Sequence, residues 1–133
     1  MRLVSDFALA VMTIWQEARG EPQAGRVAVG EVIRHRMKQK GKTVAEIVLA
    51  PYQFSGYNTK DPNRTPAFLL DDTDPIVREC AIAWLDSAST DITEGATLYL
   101  NPDIVDPLPE WAVKATKTVK IGRHQFYVET VRV

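Results

Sequence analysis

Glu17 is the residue in this chain best placed to do acid chemistry. It stands in Trp15-Gln16-Glu17-Ala18-Arg19-Gly20-Glu21-Pro22, at the C-terminal end of an amphipathic run that reads as a helix. The negative pole of that helix's dipole disfavours a carboxylate anion. With Trp15 or Phe7 close by and the group partly buried, its pKa rises towards neutrality. A carboxylic acid that keeps its proton there is a general acid, suited to breaking a glycosidic bond. The alternative is a surface charge paired with Arg19 or Arg26, the common fate of a glutamate. Hydrolytic glycosidases use two carboxylates, and no second one is marked by spacing. Glu21 is separated by Gly20 and Pro22 and is accounted for by the start of the next helix. Asp61, Asp71 and Asp72 lie in or beside a long loop.

Other chemistries find little support. Two histidines, His35 and His124, and the single Cys80 form no HExxH, CxxC or His-x-His pattern, so no metal site is expected. There is no glycine-rich phosphate loop and no GxSxG elbow, and no cofactor is implied. Cys80 falls on the apolar stripe of its own helix, where a thiol is inert core.

The elements that must hold Glu17 are mainly helical. Ser5 or Asp6 caps a first helix through Ala18, with Phe7, Ala8, Val11, Ile14, Trp15 and Ala18 on its apolar stripe. Gly20 ends it in the left-handed conformation, and Pro22 opens a second helix from within its first turn. Ala24, Ala28, Val32, Ile33 and Met37 give that helix a buried face, and Gly41 ends it. Thr43 caps a short third helix, Val44 to Leu49. Residues 51–73 read as a long irregular segment with a short helix near Ala67 to Leu70; loops of this length in a compact domain are often functional. Asp74-Pro75 starts another helix, with Ile76, Val77, Cys80, Ala81, Trp84, Leu85 and Ala88 at helical spacing. Ala96 to Leu100 is a short strand, a proline-rich loop follows, and Thr116 to Ile121 and Gln125 to Val133 form a hairpin about Gly122-Arg123-His124. The fold class is α+β, mainly α, in one domain over residues 1–133.

At 133 residues, 45% apolar and 25% charged, the chain has the composition of an ordinary globule able to bury a core without disulfides. No stretch approaches the roughly 20 apolar residues that span a membrane, so no stable insertion is expected. A lone cysteine fits synthesis in a reducing compartment, and the N-terminus lacks the features of a secretory signal. The net charge of −1 conceals segregation: +5 over residues 26–60, −9 over 61–113 and +4 over 114–133. The basic run Arg34, Arg36, Lys38, Lys40 and Lys42 reads as the solvated end of a helix, or as a surface for an anionic polymer.

The run Ile14 to Pro22, followed by Gly25-Arg26-Val27-Ala28-Val29-Gly30, resembles the bacterial and phage cell wall hydrolase family, which includes spore-cortex-lytic enzymes and several phage endolysins. Gln53-Phe54-Ser55, Gly95-Ala96-Thr97-Leu98-Tyr99-Leu100-Asn101-Pro102, Trp111-Ala112 and Ile121-Gly122-Arg123-His124-Gln125-Phe126-Tyr127 continue the likeness in order, over about residues 8–128. The resemblance implies a lysozyme-like scaffold that cleaves peptidoglycan between N-acetylmuramic acid and N-acetylglucosamine. It makes Glu17 the catalytic acid and sets Gln53, Ser55, Tyr99, Asn101, Tyr127 and His124 as substrate-binding candidates near the glycan cleft. Phe54 and Phe126 read as core. Some relatives carry His or another aromatic where this chain has Leu98 and Leu100, and the spore-associated members carry a peptidoglycan-binding domain for which this chain has no room. The expectation is a compact, monomeric endolysin, held in the host cytoplasm before it reaches the wall. One motif carboxylate without a partner points to a lytic transglycosylase using Glu17 as acid and then base. A muramidase with a second carboxylate is the alternative. A binder of an anionic wall polymer is the alternative of another class; no nucleic-acid partner is expected.

Overall fold

Helix α1 (Asp6–Ala18) begins where Ser5 accepts the Ala8 amide on its hydroxyl at 3.1 Å. The computed structural model describes residues 5–50, 53–57, 61–62, 66–67 and 69–129. Leu9 to Ile14 are all buried, so α1 is enclosed on most sides instead of showing a single stripe, and Phe7 is left 45% exposed. Gly20 does not take up the left-handed conformation; Arg19 ends the helix in right-handed geometry. The carbonyls of Ala18 and Arg19 are met by the side chain of Arg26, Nε to Ala18 at 3.2 Å and Nη2 to Arg19 at 2.7 Å. A guanidinium thus does the work expected of glycine.

Helix α2 (Gln23–Lys40) starts with Pro22 at its N-cap, one residue earlier than the first-turn position, and closes at Gly41. Its buried residues include Val27 to Ile33, while Ala24 is exposed. Three charged side chains, Arg26, Glu31 and Arg36, are buried along it. Thr43 and Glu46 form a capping box on α3 (Val44–Val48). Of the long segment 51–73, Ser55–Tyr57 is a 3-10 turn and Pro66 and Ala67 are helical; the rest of the short helix expected near Ala67 to Leu70 lies partly outside the described residues. Asp74 caps α4 (Pro75–Asp86), whose buried residues are Val77, Cys80, Ala83 and Trp84. Ile76, Leu85 and Ala88 face solvent, so the buried stripe is narrower than the apolar spacing suggests. The four helices share one core.

The sheet has strand order β1–β3–β2 and is antiparallel throughout: β1 (Leu98–Leu100), β2 (Thr116–Ile121) and β3 (His124–Val128). A short helix, α5 (Glu110–Lys114), precedes β2 and was not expected from the sequence. The expected strand Ala96 to Leu100 is shorter by two residues, β3 starts one residue earlier than Gln125, and residues 130–133 lie outside the described residues. Tyr99 pairs with Phe126 and Leu98 with Tyr127. Successive side chains alternate across a sheet, so Tyr99 and Phe126 face α2, packing with Ala28 and Val32, while Leu98, Leu100 and Tyr127 pack on the opposite face with Ala112. No described helix is long and apolar enough to cross a membrane.

Gly122 turns the hairpin at φ +58°, and a Cβ there would stand 2.9 Å from the Glu21 carboxylate, which accepts the Arg123 amide at 2.8 Å. Gly122→Ala is expected to destabilise the fold by at least about 1–2 kcal/mol, the left-handed penalty alone, as read from the midpoint of urea unfolding. An unchanged midpoint would contradict this geometry.

Candidate active site

Glu17, the penultimate residue of α1, is half-buried, and its Oε1 accepts the phenolic hydrogen of Tyr99 at 2.5 Å. Helix α1 and strand β1 therefore meet at one carboxyl group. Desolvation is the largest influence on that group and pushes its pKa above the ordinary 4.5. The Tyr99 hydrogen bond and the Arg36 cation pull it down by less, and the nearby Asp61 charge adds a smaller push upward. Tyr99 is itself held well above 10, first by burial and then by Glu17, so it serves as a donor.

The helix dipole is not the chief cause of the shift. Arg26 places a cation over the last carbonyls of α1 and offsets the negative pole there. Phe7 is ten residues back along the helix, about 15 Å at the rise of an α-helix, and cannot wall the site. The ring of Trp15 carries the Arg19 guanidinium 4.3 Å from its centroid, and Arg26 pairs with Glu79. The cation acting on Glu17 is therefore Arg36 instead of Arg19 or Arg26.

A cleft of about 370 Å³ opens beside Tyr99, walled by Arg36, Gln53, Leu98, Trp111 and Glu129 among others. Arg36 is 7% exposed; its Nε donates to the Thr97 carbonyl at 2.5 Å and its Nη1 to Gln53 Oε1 at 3.3 Å. It is no part of a solvated helix end, and Arg34 is likewise occupied, stacked 3.7 Å from the Trp84 centroid and bonded to Ser87. Arg36 falls three and four residues after Ile33 and Val32, in phase with Val29, and that spacing is the sequence signal that marks it as inward-facing.

The candidate binding residues divide. Gln53 and Tyr99 line the cleft. Ser55 is exposed at the head of the 3-10 turn and is not among the cleft's walls. Its neighbour Gly56 is pressed against α1: Gln16 Nε2 donates to the Gly56 carbonyl at 3.1 Å, and a Cβ on Gly56 would lie 2.5 Å from the Gln16 amide. Asn101 turns the chain out of β1 by accepting the Asp103 amide at 2.9 Å. Tyr127 is 1% exposed, on the sheet face opposite Tyr99, and cannot touch a substrate; it supports the ring of Trp111 edge-on at 5.4 Å. His124 stands behind Tyr99, ring centroids 4.8 Å apart, with Nδ1 3.7 Å from Glu21, and burial lowers its pKa. Tyr127 and His124 thus back the rings of Trp111 and Tyr99, and Asn101 is not among the cleft's walls. Phe54 and Phe126 are core.

Of the further carboxylates, Asp61 alone acts on Glu17. Asp71 is engaged by Thr73 and, with Asp72, borders an apolar groove beside Phe7, towards the other end of α1. Burial pushes the Cys80 thiol up to about 11, so it is unreactive. Glu31, His35 and Asp91 bring ligand atoms within 4.8 Å of one another. Both oxygens of Glu31 already accept two hydrogen bonds each, from Thr90, Ile92 and Thr93, which leaves it no lone pair for a metal.

Residues 20–127 match the family model described as Cell Wall Hydrolase. The chain belongs to the cell wall hydrolase family. Glu17 lies three residues before the matched span, so its place in the site rests on the contacts above. Among curated proteins, the chain is 29% identical to a spore cortex-lytic enzyme of Halalkalibacterium halodurans and 29% identical to one of Bacillus subtilis, each over 92% of this chain. It spans about a third of their length, 34% and 37% respectively. Its fold is that of the catalytic domain of Bacillus cereus SleB, with a TM-score of 0.74 at 28% identity over 92% of this chain and 88% of that one. The catalytic domain of the germination-specific lytic transglycosylase SleB from Bacillus anthracis gives 0.73 at 26% identity, covering 96% and 98%.

The raised pKa of Glu17 has a consequence for stability. Its unfolded form ionises from about pH 4.5 while the folded form still holds its proton, so folding loses stability as pH rises from there through the folded pKa. Glu17→Gln removes this loss. The difference in melting temperature between Glu17→Gln and the unsubstituted protein is expected to move in the variant's favour as pH rises from about 4.5 through the folded pKa, and to level off above it. A difference that moves against the variant as pH rises would mean the carboxyl is stabilised as its anion.

Proposed function

We propose that this chain is a peptidoglycan glycosidase that cleaves the bond from N-acetylmuramic acid to N-acetylglucosamine as a lytic transglycosylase. The observation that carries the reading is one half-buried carboxyl, Glu17, with its proton favoured by desolvation and a tyrosine hydroxyl on one oxygen. The Glu17 proton passes to the glycosidic oxygen as the bond to the muramic C1 breaks, releasing the N-acetylglucosamine hydroxyl. The resulting carboxylate is stabilised by Tyr99 and Arg36 until it takes the proton of the muramic C6 hydroxyl, whose oxygen closes on C1. The products are a new non-reducing end and a 1,6-anhydro sugar, and no water is consumed. Family membership and likeness to SleB catalytic domains support this reading, as does the cleft beside Tyr99 with its amide and aromatic walls. The resemblance to phage endolysins makes lysis of a host wall the natural setting, and clearing of outer-membrane-permeabilised cells tests that role. Binding without clearing would favour a non-enzymatic wall binder.

Glu17→Gln keeps size and hydrogen bonding but removes the proton donor, so release of soluble fragments from purified peptidoglycan is expected to fall at least ~10²-fold. Mass spectrometry of the fragments is expected to find 1,6-anhydromuramic ends; reducing muramic ends in their place would show a muramidase.

The muramidase reading has one observation in its favour, the proximity of Asp61 to Glu17. Asp61→Asn separates the two mechanisms. A transglycosylase keeps its rate within a few-fold and its optimum moves to lower pH, because a charge that raises the Glu17 pKa is gone. A muramidase using Asp61 as base or nucleophile loses at least ~10² in kcat.

A further inference from the structure

Lys40 is the last residue of α2 and is exposed on the wall of the cleft beside Tyr99. Among the described residues it forms no ion pair. Arg36 is one helical turn earlier on the same face, but its guanidinium is held by the Thr97 carbonyl and Gln53, and its charge is met by Glu17 and Glu129. Lys40 is therefore the uncompensated charge among the described residues of this cleft. Around it stand the amides of Gln39 and Gln53 and the ring of Trp111, which is 38% exposed. An ammonium and two amides are donors for a carboxylate, and an indole face suits an alkyl chain or sugar ring.

The proposed reaction places this cleft relative to the substrate. Tyr99 is one of its walls and its hydroxyl is bonded to the acid, so the cleft lies within a side chain's length of the reacting centre. The sugar that reacts at C1 is muramic acid, and its C3 carries the lactyl group from which the stem peptide hangs. That peptide is acidic, whereas the N-acetylglucosamine on the other side of the broken bond is neutral and offers Lys40 nothing to pair with. Resting on the glycosidase reading, we propose that the cleft is a stem-peptide subsite. Lys40, with Gln39 and Gln53, receives a carboxylate of the peptide, and the enzyme prefers peptide-bearing strands to peptide-free ones.

The test uses soluble uncrosslinked glycan strands in two forms, with stem peptides intact and with the peptides removed by an amidase. Cleavage of each is followed by counting new chain ends by chromatography and mass spectrometry. The unsubstituted protein is expected to show kcat/KM several-fold higher on peptide-bearing strands, since an exposed ion pair contributes up to about fivefold. Lys40→Glu is expected to abolish or invert that ratio, and Lys40→Arg to keep it, because the charge and not the fold carries the preference. Equal kcat/KM on the two substrates, or a Lys40→Glu variant that slows both alike, would overturn the subsite. Failure of the unsubstituted protein to cut either substrate would instead overturn the glycosidase reading.

Discussion

The contact between the Glu17 carboxyl and the Tyr99 hydroxyl ties together elements that have little else in common. Glu17 belongs to a helix that is nearly encircled by its neighbours, and Tyr99 to a three-residue strand at the edge of a small sheet. Holding them 2.5 Å apart requires the sheet to be fixed to the helical layer at both ends. At one end Phe126 and Ala96 pack on Ala28 and Val32 of α2. At the other, Glu21 receives the Arg123 amide, so the α1–α2 junction grips the hairpin turn directly. The buried charges along α2 serve the same purpose. Arg26 closes α1, Glu31 anchors residues 90–93, and Arg36 holds the Thr97 carbonyl just before β1. Each is a charged group removed from water, and each is matched by several hydrogen bonds, the condition under which such burial is tolerated.

The same arrangement sets opposing influences on one proton. Burial favours the acid form of Glu17, while Tyr99 and Arg36 favour its anion. In the proposed reaction Glu17 first gives a proton and then takes one back, and such a balance serves it because neither form is so stable that the other becomes inaccessible. A second carboxylate serves to activate water or to attack the sugar itself, and in the proposed transglycosylase mechanism a hydroxyl of the substrate makes that attack instead.

Much of this was legible in the sequence, for identifiable reasons. Ser5, Thr43 and Asp74 cap helices because their side chains reach the free amides of a first turn, and that chemistry is local. Glu17 stands out because its motif sits at a helix end, and the structure keeps it there. What was not legible depends on contacts distant in the chain. The dipole argument for Glu17 missed Arg26, whose reach to the end of α1 depends on how the two helices cross. Arg36 read as a solvated cation because a basic run conceals a buried member. Tyr127 stands among the substrate-binding candidates by its place in the family motif, yet its register opposite Leu98 turns it to the other face of the sheet. α5 escaped notice for want of a side-chain cap, its N-cap being Pro109.

The most direct measurement is the pKa of Glu17 itself. Carbon-13 labelling of the glutamate side chains, with the Glu17 carboxyl resonance assigned by its absence from the spectrum of Glu17→Gln, gives that value by NMR titration of the folded protein. The expected midpoint lies above 4.5 and above those of the exposed glutamates. A midpoint at or below 4.5 would make Glu17 an ordinary carboxylate and contradict its role as the acid.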